Sequence, residues 1–246
     1  MKILVSFKSV PDPNEVTVAG AAISTPKSVI NPFDEIAIEE AVRIRERGEA
    51  MEIVGVTIGV ATVDEQVRVA LGMGVDRAIR IDDSRVLDPY AVARILRAVV
   101  RKEAPHVLIM GKQAVDDDSN QVGQMLAGLL EWPQATFVSK IEFLGNKTRA
   151  RCTRETDAGL EVVEVNLPVI VTTDLRLNEP RYVSLPGLIK ARRKPIEVLT
   201  CDQLGVTVRP LTTVLSIARP SRRPAGTRVE SVEELITKLK QEAKVL

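Results

Sequence analysis

The feature of this sequence that most narrows its fold is an alternation of short β-branched runs with longer segments of helical period. Ile3-Leu4-Val5-Ser6-Phe7 reads as a buried strand. A polar, proline-containing loop follows, and Asn31-Pro32-Phe33-Asp34-Glu35 then marks a helix start. Asn31 can cap, Pro32 fits the first helical position, and Asp34 and Glu35 suit the positive end of the dipole. Ala37, Ile38, Ala41, Val42 and Ile44 give that helix an apolar stripe. Ile53-Val54-Gly55-Val56-Thr57 is the next strand, and Thr62 with Glu65 fits a capping box for a helix carrying Val67, Ala70 and Leu71. Arg77 to Ile81 is a short strand, after which Asp88-Pro89 opens a helix with Val92, Ile95, Leu96 and Val99 inward. Val107-Leu108-Ile109-Met110 is a further strand, and Gln121 to Leu130 a helix with Val122, Met125, Leu126 and Leu129 on one face. Parallel strands need crossover helices, so the expected fold class is α/β, a doubly wound, mainly parallel open sheet.

After Trp132-Pro133 the rhythm changes. Thr136 to Ile141, Arg149 to Thr153 and Leu160 to Val165 read as added antiparallel strands, with turns at Gly145-Asn146 and Asp157-Ala158-Gly159. Val169-Ile170-Val171-Thr172 returns to a buried strand. Beyond Pro186 core-like segments thin out, 207–228 is rich in Pro, Arg and Thr, and Val232 to Lys244 reads as a last helix with Val232, Leu235, Ile236 and Leu239 on one side. The expected organisation is an α/β domain over 1–194 and a C-terminal arm over 195–246. The last helix either folds back on its own sheet or buries its stripe on a partner.

Charge and cysteine usage exclude several functions. With 34 Lys+Arg against 33 Asp+Glu there is no overall basic field, and nucleic acid is not an expected partner. His106 is the sole histidine, which leaves little material for His-based triads or multi-histidine metal sites. Cys152 and Cys201 show neither metal spacing nor a disulfide pattern, as in a reducing compartment. No apolar run approaches the roughly 20 residues that span a bilayer. Met1 to Val5 lead straight into a strand pattern without a signal or transit segment. A cytoplasmic protein is expected, or a mitochondrial matrix protein in a eukaryote.

Two segments offer chemistry. Gly111-Lys112-Gln113-Ala114-Val115-Asp116-Asp117-Asp118-Ser119-Asn120-Gln121 leaves the carboxyl end of a parallel strand and enters a helix, the place where open α/β sheets bind ligands. The helix start, with Asn120 and Gln121, can present N–H groups to an anion. Three adjacent carboxylates all facing a phosphate would repel it, so at least one should cap the helix or bond a sugar hydroxyl or backbone N–H. The competing reading is a polar loop whose aspartates are only caps. A Mg²⁺ site is less attractive, because that ion usually works with substrate phosphates. The loop after the first strand, the Asn31–Asp34 helix start and the Ile58-Gly59 turn would line the same crevice, although Asn31 alone reads as an ordinary cap. Neither GxGxxG nor GxxxxGK[ST] occurs. The second segment runs from Asp174 to Pro186. Arg176, Glu179 and Arg181 suit an internal ion-pair network, and Leu185 is either core or an exposed apolar contact for a partner. The basic run Lys190-Ala191-Arg192-Arg193-Lys194 reads as a solvated face able to steer an acidic partner.

Three stretches, in order, resemble the beta subunits of electron transfer flavoproteins. Val171-Thr172-Thr173-Asp174-Leu175-Arg176-Leu177-Asn178-Glu179-Pro180-Arg181-Tyr182 resembles that family's signature. Gly111-Lys112-Gln113 through Met125 resembles its nucleotide loop, and Asn31-Pro32-Phe33-Asp34-Glu35-Ile36-Ala37 its first helix start. The likeness runs from about Lys2 to the final helix. It implies a Rossmann-like, adenine-nucleotide-binding sheet in a heterodimer with an alpha subunit that holds most of one FAD, while beta buries one AMP. By motif match the AMP contacts are Ser6, Asn31, Pro32, Phe33, Asp34, Ile58 and the stretch from Gly111 through Gln121 to Val122. Ser184, Leu185, Pro186, Gly187, Leu188 and Ile189 correspond to a recognition loop that docks acyl-CoA dehydrogenases, and Glu155 to a contact with alpha. Electrons would pass on to an electron transfer flavoprotein-quinone oxidoreductase, and this chain would be a carrier subunit without catalytic residues of its own. The signature resembles the AMP-containing branch. The alternatives are a bifurcating subunit with FAD in the crevice and a stand-alone nucleotide-binding module.

Overall fold

A computed structural model describes every residue except 20, 21, 25, 26, 210, 217, 219, 220 and 222–224, and only the backbone of 18, 19 and 22–24. Part of the 207–228 stretch therefore lies outside the described residues. In chain order the elements are β1 (Lys2–Ser6), β2 (Ser9–Pro11), β3 (Thr17–Ala19), β4 (Ala22–Ser24), β5 (Ser28–Ile30), α1 (Pro32–Glu46), β6 (Glu52–Ile58), α2 (Asp64–Met73), β7 (Arg77–Ile81), α3 (Pro89–Glu103), β8 (Val107–Gly111), α4 (Val122–Leu130), β9 (Gln134–Leu144), β10 (Arg149–Thr156), β11 (Gly159–Asn166), β12 (Val169–Thr173), α5 (Leu185–Ala191), β13 (Ile196–Leu199) and α6 (Val232–Gln241).

Nine strands form one sheet in the order β11-β10-β9-β12-β8-β1-β6-β7-β13. From β9 to β13 neighbours run parallel, and β10 and β11 extend one edge antiparallel. The central strands carry apolar side chains on both faces, as parallel strands covered by crossover helices should. One face packs Ile3, Val5, Ile53, Ile109 and Val171 under Ala37, Ile38, Ala41, Val67 and Leu71 of α1 and α2. The other packs Leu4, Val54, Ile79, Leu108 and Ile170 under Ile95, Leu96, Val99 and Leu126 of α3 and α4. From β1 the chain winds outward through β6 to β7, then returns to place β8 on the other side of β1. The strand order reverses between β1 and β8.

The alternating elements fall where the residue pattern puts them, and the differences have local causes. The polar loop after β1 contains short antiparallel pairs, β2 with β5 and β3 with β4. The capping box at Thr62 and Glu65 does not form. A 3₁₀ turn over Ala61–Val63 precedes α2, whose cap residue Val63 offers no side-chain acceptor. Arg176, Glu179 and Arg181 do not pair with one another. Arg176 bonds Glu155, Arg181 clasps Glu39 and Glu46 of α1, and Arg43 donates to the backbone carbonyl of Glu179. The basic run is only partly solvated, because Lys194 Nζ donates to the carbonyls of Leu71 at 2.9 Å and Val75 at 2.6 Å around the end of α2. The segment expected to begin the arm starts with β13, which pairs with β7, while Cys201 and Val206 join the α3-side core. The last helix ends at Gln241, and Val232, Leu235 and Ile236 stay exposed. Among the described residues no helix is long and apolar enough to cross a membrane.

Asp88 joins the sheet domain to the chain beyond it. Its carboxylate caps α3 by accepting from Ala91 N at 2.8 Å, and also accepts from the backbone N–H groups of Leu211 and Thr212. Replacing a capping Asp by Ala costs about 1–2 kcal/mol. Asp88→Ala should lower the unfolding free energy by that order, and Asp88→Asn, which keeps an acceptor oxygen, by clearly less. Urea unfolding curves of the two variants check this.

Candidate functional site

At the carboxyl ends of β1, β6, β7 and β8 lies a cavity of ≈ 550 Å³, on the reversal in strand order. Open α/β sheets bind ligands at such a point, because loops leaving neighbouring strands diverge there and leave a crevice. The volume is in the range of small-molecule sites. Its walls include Ser6, Phe7 and Lys8 after β1, Asn31 and Asp34 at the start of α1, Ile58 and Gly59 after β6, and residues 83–87 after β7. Gly111 to Ala114, Asp116, Asp117 and Ser119 to Gly123 form the wall after β8.

Two side chains at the start of α1, Asp34 in its first turn and Asn31 just before it, hold these walls together. Asp34, 6% exposed, accepts from Lys8 N through Oδ2 at 2.9 Å and from Gly111 N through Oδ1 at 2.8 Å. It thus fixes the chain leaving β1 to the chain leaving β8. Asn31 does not cap its helix. Its Nδ2 donates to Gln113 O at 2.8 Å and its Oδ1 accepts from Val115 N at 3.2 Å, so it pins the loop after β8. Gly111 makes the approach close enough, since a Cβ there would lie 2.6 Å from both Asp34 Oδ1 and Phe33 Cβ.

The three adjacent aspartates are separated by their partners. Lys8 Nζ lies 2.8 Å from Asp116 and 3.1 Å from Asp117, Asp117 also accepts from Ser119 N at 3.0 Å, and Asp118 accepts from Gln113 Nε2 at 2.7 Å. Asp118 and Asn120 take positive φ, 51° and 49°, which turns the loop into α4. Gln121 gives α4 no side-chain cap, so the first N–H groups of that helix are available at the crevice. Gly123 lets the helix start close, because a Cβ there would lie 2.6 Å from Thr172 Cγ2. Lys112 Nζ donates to Asp174 Oδ2 at 2.8 Å and sits over the rings of Phe33 and Phe137.

Of the residues singled out in the sequence, Ser6, Asn31, Asp34, Ile58, Gly111, Lys112, Gln113, Ala114, Asp116, Asp117, Ser119, Asn120, Gln121 and Val122 come together around the cavity. Pro32, Phe33, Val115 and Asp118 are outside its lining. Pro32 opens α1, Phe33 packs under Lys112, Val115 N is held by Asn31, and Asp118 by Gln113. The sequence reading missed the wall after β7, Asp83 to Leu87, with Val60, Val63, Pro89 and Val92. The rule that loops after parallel strands line the site applies equally to the loop after β7. There the hydrogen bond from Arg85, against some burial, holds the Asp83 carboxyl down at about 2, and Cys201 Sγ donates to Asp83 at 3.3 Å.

Of the second candidate segment, Asp174 to Ser184 is irregular chain, and Leu185 and Pro186 open the short helix α5, so the stretch from Ser184 to Ile189 is a capped helix start rather than a loop. Ser184 caps it by accepting from Gly187 N at 3.2 Å, and Val183 and Leu188 pack over Gly72 of α2. Leu185 is 71% exposed and Ile189 53%, so Leu185 is not core. Glu155 lies in a different element, β10, where it accepts from Arg176.

The sequence profile of the family described as "Electron transfer flavoprotein domain" matches residues 20–204. The chain is 50% identical over 251 residues to "Electron transfer flavoprotein subunit beta" of Bradyrhizobium diazoefficiens, covering 100% of both. It is 48% identical over 258 residues to the protein named "Electron transfer flavoprotein subunit beta, mitochondrial" of Oryza sativa subsp. indica, again over 100% of both. It is 44% identical over 245 residues to "Electron transfer flavoprotein subunit beta" of Mus musculus, covering 98% of this chain and 93% of the relative.

Burial pushes the Asp34 carboxyl up to about 6, against the Lys8 and Gly111 N–H groups that favour its charge. An unfolded Asp titrates near ~3.9. The folded form thus binds this proton more tightly, and the carboxyl favours folding most below about pH 4, an advantage lost as pH rises to about 6. In Asp34→Asn that pH-dependent contribution should vanish. Overall stability should fall, because the amide supplies one acceptor for two backbone donors. Urea midpoints measured from pH 4 to 7 check both.

Proposed function

The chain belongs to the electron transfer flavoprotein family, as a beta subunit, and from that membership and the geometry of the crevice we propose how it works as a carrier subunit. The crevice holds one AMP, and the observation that carries this reading is the cavity at the strand-order reversal, closed by the loop that Asn31 and Asp34 pin. The residues fit the group. Val60, Val63, Leu87 and Val92 offer apolar surface to a base, the first N–H groups of α4 suit a phosphate, and Asp116 and Asp117 are matched by Lys8. A ligand that binds only the folded chain stabilises it by mass action, so AMP acts as a structural staple between the strand ends.

An alpha subunit is the obligatory partner and holds most of one FAD, which supplies the redox chemistry when bound. This chain's own residues position, and do not react. The sheet is a rigid platform, Glu155 meets alpha, and the chain beyond Val206, the last residue of the core, extends toward it. The helix at Leu185 docks an acyl-CoA dehydrogenase, because a capped, packed helix displays Leu185 and Ile189 beside Lys190, Arg192 and Arg193. Electrons leave toward an electron transfer flavoprotein-quinone oxidoreductase. The site of action is the cytoplasm in a bacterium, or the mitochondrial matrix in a eukaryote.

Acid release and chromatography of the co-purified heterodimer should yield one FAD and one AMP. Two FAD without AMP would instead make the crevice a redox site of the bifurcating kind, and ATP or no nucleotide would sink the reading. Leu185→Ala should slow reduction by an acyl-CoA dehydrogenase about tenfold or more with an unchanged flavin spectrum. Unaltered stopped-flow rates would remove Leu185 from the docking surface.

A further inference from the structure

The crevice is lined by more acid than base, and its bases are unequally engaged. Arg85 is bound to Asp83, and Lys112 to Asp174. Asp34 is sealed against the backbone N–H groups of Lys8 and Gly111. Asp116 and Asp117 remain, on the loop that leads into α4, and among the described lining residues the cation that meets them is Lys8, at 2.8 and 3.1 Å. Its backbone is fixed by Asp34, so the side chain reaches across from β1 to that loop.

These ion pairs are open to water, with side chains 44% exposed at Lys8, 28% at Asp116 and 45% at Asp117. Exposed pairs contribute little to folding. Their effect on a ligand is larger, because a phosphate monoester carries nearly two negative charges and would enter beside two carboxylates. Partial loss of water opposes the charge on Lys8, yet Asp116 and Asp117 raise its pKa overall. Asp117, despite burial, is held below the usual carboxylate range by Ser119 and Lys8.

Resting on the nucleotide reading of the crevice, we infer that Lys8 sets its preference for a phosphorylated nucleoside over the free nucleoside, by neutralising Asp116 and Asp117 rather than by touching the phosphate. Lys8 is thus a specificity-determining residue acting through two others. Without it the loop presents two uncompensated negative charges to the ligand's phosphate. The nucleoside, which is neutral, is indifferent to them.

The test is titration calorimetry of AMP and of adenosine into the nucleotide-depleted heterodimer containing the full chain. Lys8→Met should weaken AMP on the order of tenfold and leave adenosine unchanged. Lys8→Arg should bind AMP as the parent does. Adding Asp116→Asn and Asp117→Asn to Lys8→Met should restore AMP affinity, and Asn at 117 keeps an acceptor for Ser119. Equal loss of AMP and adenosine would make Lys8 a structural latch and overturn the inference. So would an unchanged AMP affinity, or a failure of the double Asn background to restore it, which would point to direct phosphate contact. Absence of AMP and adenosine binding in the parent protein itself would overturn the nucleotide reading beneath it, an outcome visible before any variant is made.

Discussion

The strands β12, β8, β1, β6 and β7 lie side by side in parallel, and each connection between parallel neighbours must be long enough to recross the sheet. Helices fill those connections and bury both faces of the sheet. All the strand ends of one polarity therefore lie along a single edge. Where the winding reverses, between β1 and β8, the loops part and leave the cavity. The location of the cavity is thus a consequence of how the core is covered.

What turns loose strand ends into a shaped wall is a pair of polar side chains at the start of α1. The carboxylate of Asp34 and the amide of Asn31 give backbone groups after β1 and β8 their partners. Buried backbone groups without partners would be costly, so these bonds fix the loops by satisfying them. Asn31 is instructive here. A residue type favoured as a helix cap is used instead to hold a loop 82 residues away in sequence, and the helix start takes its order from Pro32.

The remaining surface divides between what the fold needs and what it leaves open. Arg181, with Glu39 and Glu46, and Lys194, with the end of α2, are tied into the domain. Leu185 and Ile189 on α5, and Val232, Leu235 and Ile236 on α6, are apolar and exposed. Such side chains at helical spacing, away from the sheet, are consistent with a subunit whose work is done through contacts with other chains.

The sequence alone carried the fold class, because the periods of the β-branched runs and of the helices are local properties. Arg77–Ile81 and the opening of α3 at Asp88-Pro89 were legible to the residue. It also carried most of the loop from Gly111 to Gln121 as a wall of the cavity, since a polar turn between a strand and a helix is visible in one stretch of chain. β13 was not legible, because a four-residue edge strand with two exposed positions has no distinctive period and exists only by pairing with β7. Nor was the wall from Asp83 to Leu87, or the choice between core and surface for Leu185. Local sequence determined which segments form and which carry polar chemistry. Tertiary structure decided which side chains meet, that Asn31 binds a loop and Lys8 two aspartates, because those partners are brought together only by closure of the sheet.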